Sequence, residues 1–352
     1  MDTVTQIALG AAVGEATLGR QVGRRALLWG GICGLFPDLD GLVLFGDAVK
    51  AFTYHRGPSH SLFLLAALTP LFVWLILRLH PQTVRYRTRW YGLVYLAFST
   101  HVLLDCFTVY GTQIFWPLGT PPVMWSTLFI IDPAYSIPLI LGVLAALVLS
   151  RNTTRGHVIN AICLALSTIY LIWSVGVKLH VGNRVQESLV RQGISHQQYL
   201  TVPAPFNTLL WRVLVMNDNG YYEGFYSLFD KNRNLQFIHY PSDKTLLDDI
   251  GDHWPVKRLK WFTHGFYSVQ QRLNDVVITD LRMGLEPSYV FRFKVGEIGN
   301  PGVRPTNSSQ VHSEYSLDLL RWTWRRIWTD DPKMVPYRST PYRQKMVKMV
   351  PR

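Results

Sequence analysis

Three aspartates and three histidines in the first third of the chain have metal-binding side chains, and they come in three pairs. Asp38 and Asp40 lie in Leu-Phe-Pro-Asp-Leu-Asp. His55 and His60 bracket Arg-Gly-Pro-Ser, and His101 and Asp105 stand in Thr-His-Val-Leu-Leu-Asp. All lie within or beside apolar segments. An ionised carboxylate at membrane depth costs several kcal/mol, roughly, unless it is paired, solvated or bound to a cation. One site holding divalent cations accounts for all six groups together.

Each spacing suggests how the pair reaches that site. A separation of four puts His101 and Asp105 on one helix face. That face can offer two ligands to one cation, or a histidine with its orienting carboxylate. Asp38 and Asp40 would diverge on a regular helix, but Phe36-Pro37 should break the helix there, because proline removes a donor and disfavours helix in the residue before it. At such a break both acids can face one cavity, and paired carboxylates suit the bridging of cations in phosphoester cleavage. Gly57-Pro58 forces a turn between His55 and His60. Arg56, with its forked guanidinium, suits the anionic oxygens of a phosphate. Plainer roles exist for each pair: a buried hydrogen bond, a surface loop, a helix cap. All three would have to coincide. Asp132, followed by Pro133, reads as an N-cap, with an outer-shell partner of the site as the alternative, and His80, His157, His180, His196, His239, His253 and His264 read as surface or packing residues.

The elements that must position these residues are helical. A spanning helix needs about 20 mostly apolar residues. Residues 61–79, 91–109, 128–149 and 157–179 meet that pattern. Residues 3–19 are shorter and rich in small residues fit for close packing; 26–46 are apolar but broken near Asp38. Arg20, Arg24, Arg25, Arg78, Arg85, Arg87, Arg89, Arg151 and Arg155 fall in alternate connections, which the positive-inside rule makes cytoplasmic. The candidate ligands then lie toward the opposite, extracytoplasmic side, together with everything after about residue 180.

Beyond residue 180 the chain changes character. A helix leaves the membrane, and short alternating runs at 221–228, 235–240, 275–280 and 289–295 are punctuated by turn residues. The expected fold is a membrane all-α domain over 1–180, with about six helices and one broken at Pro37. A small, mostly antiparallel β (α+β) soluble domain follows over 181–328, and a basic, flexible tail over 329–352. The net charge is +12, but the basic residues are spread rather than gathered into a stripe, so no nucleic-acid partner is expected. A basic face on anionic headgroups is the expected use. Cys33, Cys106 and Cys163 all lie in apolar segments, with no zinc-type cysteine spacing, and the N-terminus lacks signal-peptide features.

The same motifs carry a family resemblance. Leu-Phe-Pro-Asp-Leu-Asp, His-Arg-Gly-Pro-Ser-His-Ser-Leu and Ser-Thr-His-Val-Leu-Leu-Asp, followed by Phe-Trp-Pro-Leu, resemble the YdjM-like family of bacterial membrane-bound metal-dependent hydrolases over about residues 1–150. Pro-Ala-Pro-Phe-Asn-Thr-Leu-Leu-Trp-Arg (203–212) and Thr-Asp-Leu-Arg-Met-Gly (279–284) resemble the family's longer form with a soluble C-terminal domain. Its membrane core is distantly similar to zinc-dependent phospholipase C and the S1/P1 nucleases. The resemblance implies a multi-pass hydrolase of the bacterial inner membrane with Asp38, Asp40, His55, His60, His101 and Asp105 as metal positions. Where family members often begin with Thr-His, this chain has Thr5-Gln6, and glutamine is a poor zinc ligand.

The expected function is therefore hydrolysis of a lipid or lipid-linked phosphoester by a metal-activated water. The cofactor expected is zinc, with manganese or magnesium as alternatives; Asp38 or Asp105 would take the proton and Arg56 would steady the oxygens. The alternative is a metal-stabilised scaffold or an ion-relaying transporter. A transporter should show matching broken helices in two halves, and the chain has one break and no repeat.

Overall fold

Glycines set the first packing event. In the computed structural model, which describes residues 1–150, 153–231, 235–312 and 317–329, α1 (Thr3–Val22) starts where Asp2 accepts the N–H of Thr5 and stops at Gly23. α2 (Arg24–Leu35) returns beside it. Gly10 and Gly14 face Gly30 and Gly34, and a Cβ at any of the four would overlap the neighbouring helix's backbone. Small residues permit that approach. α2 then gives way at Pro37 to a tight 3-10 turn over Phe36–Leu42, the break expected near Asp38.

Five further helices complete this half. α3 (Ala48–Tyr54) is short and capped by Asp47. α4 (Leu62–Leu79) is capped by Ser61, and α5 (Arg87–Cys106) carries His101 and Asp105. α6 (Pro133–Leu149) is capped by Asp132, whose carboxylate accepts the N–H of Ala134. α7 (Arg155–Gln192) runs unbroken for 38 residues to Gly193, which is left-handed at φ 62°. By length and composition α4 and α7 could each cross a membrane, and α6 is apolar but shorter. Their outer faces expose Leu71, Trp74, Leu141, Val148, Ile162, Leu166, Ile169 and Ile172, while Trp90, Phe98, Leu65 and Ile76 fill the interior.

The C-terminal part is β-rich, and every strand pairing in it is antiparallel. β1 (Gln198–Pro203), β2 (Leu210–Asn217), β3 (Gly220–Ser227) and β4 (Phe237–Pro241) form one meander. After α8 (Trp254–Phe262) come β5 (Tyr267–Arg272), β6 (Asp275–Asp280), the small hairpin of β7 (Gly284–Leu285) and β8 (Ser288–Tyr289), β9 (Arg292–Ile298) and β10 (Val303–Gln310). The second sheet has the order β10-β9-β6-β5. α9 (Leu317–Trp328) closes the described chain; of the expected tail only Thr329 is described.

The two halves share cores. Val177, Val181, Val185 and Leu189 on the last turns of α7 pack against Trp211, Val213 and Val215 of β2. Val49 and Phe52 of α3 are buried with Leu259 and Phe262 of α8 and with Ile278 and Phe293 of the second sheet. Arg258 on α8 donates to the Thr53 hydroxyl at 3.0 Å and to its carbonyl at 3.2 Å. The segment that delivers His55 and His60 is thus held from the sheet side.

Candidate metal centre

Four of the six ligand candidates converge. Asp38 comes from the 3-10 turn, His60 from the turn before α4, and His101 and Asp105 from one face of α5. Their ligand atoms all lie within 4.8 Å of one another. His60 Nε2 is 3.2 Å from Asp105 Oδ2, 3.3 Å from His101 Nε2 and 3.6 Å from Asp38 Oδ1. His101 Nε2 is 3.5 Å from Asp38 Oδ1 and 3.6 Å from Asp105 Oδ2. Zinc bonds of about 2.0–2.1 Å to nitrogen or oxygen, arranged as a tetrahedron, give edges of about 3.3–3.4 Å. These five distances match that figure to within a few tenths of an ångström. Asp105 Oδ2 is also a buried oxygen with no hydrogen-bond partner, a costly state that a bound cation would relieve. The residues present fit a divalent metal ion.

Neighbouring groups turn the imidazoles the right way. His101 Nδ1 lies 2.6 Å from the Gly34 carbonyl, so it carries the proton and leaves the Nε2 lone pair facing the cluster. The Gly10/Gly14–Gly30/Gly34 seam fixes where that carbonyl sits. His60 Nδ1 lies 2.9 Å from the Ser59 hydroxyl, which donates to Asp40 Oδ2 at 2.6 Å. That chain makes His60 Nδ1 the donor, and Nε2 again faces inward. Such partners orient metal ligands and raise their basicity.

Asp40 and His55 lie outside the group of four. Asp40 accepts from Ser59, from the Arg56 backbone N–H at 2.9 Å, and bonds His55 Nδ1 at 2.8 Å. The His55 side chain keeps 31 % of its surface exposed, at the rim beside Tyr110 and His60. Arg56 is buried: its guanidinium reaches Asp105 Oδ1 at 3.2 Å and the Thr108 hydroxyl at 3.0 Å, over the Tyr110 ring. Its backbone is left-handed at φ 58°, a strained position for a non-glycine residue. Gln113, through its backbone N–H to Arg56 and its amide to Thr53, pins this turn. Gln6 donates to the His101 carbonyl and, at 2.9 Å, to Asp105 Oδ1, and the Met1 amine also donates to Asp105 Oδ1. Asp105 Oδ1 is therefore saturated by donors while Oδ2 points to the cluster.

Sequence spacing missed Ser59 and Thr108, which act through hydroxyl geometry alone. It also missed Glu15, a buried acid on α1 whose partner is His157, 2.5 Å away on α7. His157 is thus not the unpartnered packing residue expected, because its partner lies 142 positions earlier.

The family model described as YdjM inner membrane protein matches residues 1–179, about half of the chain. No curated protein and no solved structure matches.

Proposed function

The chain belongs to the YdjM inner membrane protein family, and from that premise we propose that it is a membrane-embedded, metal-dependent hydrolase of a lipid or lipid-linked phosphoester. The observation that carries this reading is the four-donor cluster, its ligand atoms all within 4.8 Å of one another, with an otherwise orphaned Asp105 oxygen. Two imidazoles and two carboxylates suit zinc best, with manganese or magnesium as weaker fits. When bound, the cation would supply Lewis acidity and lower the pKa of a water.

The chain's own residues divide the remaining work. Asp38 is the most exposed of the four ligands, its side chain 13 % accessible, so the site opens on its side. His55, held by Asp40 at that rim, is the side chain able to take and return a proton there. Arg56 and Asp105 are tied to each other in the interior, a holding role rather than the oxyanion and base roles suggested by residue type. The arginine-rich connections, by the positive-inside rule, are the basis for the extracytoplasmic side, and a site opening there among apolar helices would suit lipid phosphates.

One observation favours a second reading. Four protein donors complete a tetrahedron, as structural zinc sites do, whereas catalytic sites keep a position open. The scaffold and the enzyme part on one experiment: reconstitute the protein, load zinc, and follow phosphate or headgroup release from lipid phosphates for the parent, His60→Ala and His55→Ala. The enzyme reading expects turnover in the parent, loss of metal and turnover in His60→Ala, and metal without turnover in His55→Ala. Bound metal with no release from any phosphoester would leave the scaffold.

A further inference from the structure

α9 carries an apolar face that the sheet half does not cover. Leu317, Leu320, Trp324 and Trp328 follow one another at three- and four-residue steps, so they share one side. They are 74 %, 40 %, 59 % and 59 % exposed among the described residues. The adjoining side fixes the helix. Ile327 is buried with Ala204 and Leu210, and its carbonyl accepts from Ser227 Oγ at 2.6 Å. Arg326 forks onto Asp230 at 2.6 and 2.7 Å. The outward aim of the tryptophans is therefore set by packing.

The loop beneath α9 leads straight to α7. Thr208 lies 3.1 Å from the Tyr170 hydroxyl and accepts from Trp173 Nε1 at 3.3 Å. Phe206 packs on Phe129, and Phe229 stacks on Trp328 with centroids 5.1 Å apart. Tyr170 and Trp173 sit on the helix whose Ile169 and Ile172 are exposed apolar side chains. The apolar faces of α7 and α9 are thus joined through one short loop. Exposed Arg321 and Arg325 flank the tryptophans.

We propose that α9, with Phe229, is an interfacial foot by which the sheet half rests on the lipid leaflet nearest to it. Tryptophan prefers the headgroup level, and arginines beside it draw anionic lipid. A buried apolar side would need no arginine, and a water-facing one no tryptophan. The inference rests on the membrane reading of α7.

The test uses the full chain with its three cysteines replaced by alanine, a single new cysteine carrying a polarity-sensitive fluorophore, and liposomes with or without brominated acyl chains. Ile169→Cys on α7 reports the membrane reading itself, and Leu273→Cys, 94 % exposed on a β-hairpin, reports water. Trp324→Cys should emit to the blue of Leu273→Cys and lose at least half its intensity in brominated lipid. Emission at 324 equal to that at 273, with Ile169→Cys still quenched, overturns the foot alone. Absence of quenching at 169 overturns the membrane reading. Protection at 324 without lipid quenching also overturns the foot; dependence on protein density would assign the face to a second copy, and loss on removing residues 333–352 would assign it to the tail. Intrinsic tryptophan quenching of Trp324→Phe/Trp328→Phe against the parent, with native cysteines, repeats the measurement: an unchanged quenched fraction counts against the foot.

Discussion

Two clusters of buried polar side chains in this molecule look alike in composition and differ in closure. In the sheet half, Arg212 donates to Glu223 at 2.5 Å, to the Leu281 carbonyl at 2.6 Å and to the Tyr289 hydroxyl at 2.9 Å. Tyr221 links Tyr289 to Glu286. None of these five side chains leaves an orphaned buried polar atom. In the helical half, Asp38, His60, His101 and Asp105 turn acceptor atoms toward one another, and Asp105 Oδ2 is unpartnered. A network that satisfies itself asks for nothing further and serves the fold. A cluster of lone pairs facing one point has the shape to take a cation.

That contrast can be broken by substitution. His60→Ala should cost at least about 100-fold in zinc affinity, since a quarter of the donor set goes, while the sheet half melts as before; competition with a chromophoric chelator reads the first and near-ultraviolet circular dichroism the second. Glu223→Ala should do the reverse. Removing one partner strands the Arg212 charge, at about 3–5 kcal/mol, and the sheet half should lose several degrees or more of melting temperature with zinc stoichiometry unchanged. If Glu223→Ala abolished zinc binding, the two clusters would not be independent.

Smaller effects sharpen the comparison. Ser59→Ala removes the hydroxyl between His60 and Asp40 but no ligand, so zinc affinity should fall about 10–100-fold with the metal count at saturation preserved. A pH experiment probes the closed network. Burial pushes the Glu223 and Glu286 carboxyls up from their ordinary range. A raised folded-state pKa contributes stability below the ordinary glutamate value of about 4.3 and loses it as pH rises through the folded value. Glu286→Gln, which can still accept from Tyr221, should therefore match the parent near about pH 4 and gain in relative melting temperature toward about pH 8. A constant difference across that range would mean Glu286 does not titrate in the window.

Much of the site was legible because its spacings are local. Residues four apart on a helix, a proline break and a Gly-Pro turn each have one geometric meaning, so His101, Asp105, Asp38 and His60 could be named from the chain alone. Which four of six form the cluster could not. Asp40 and His55 have the right chemistry, but the Ser59 hydroxyl and the Arg56 N–H draw Asp40 into an outer layer. Gln6, where the family resemblance suggests histidine, proves to be a hydrogen-bond donor to Asp105. The helical and strand-rich halves were legible from periodicity. The docking of Phe52 into the sheet core was not, because nothing near residue 52 signals a partner some two hundred positions on.

X-ray absorption at the zinc edge, on protein purified in detergent and dialysed against zinc, tests the central claim most directly. The account predicts one zinc per chain with four nitrogen or oxygen neighbours at about 2.0–2.1 Å and the multiple-scattering signature of two imidazoles, reduced to one in His101→Ala. A protein that takes up no zinc, or binds it without imidazole and indifferently to His60 and His101, would contradict it.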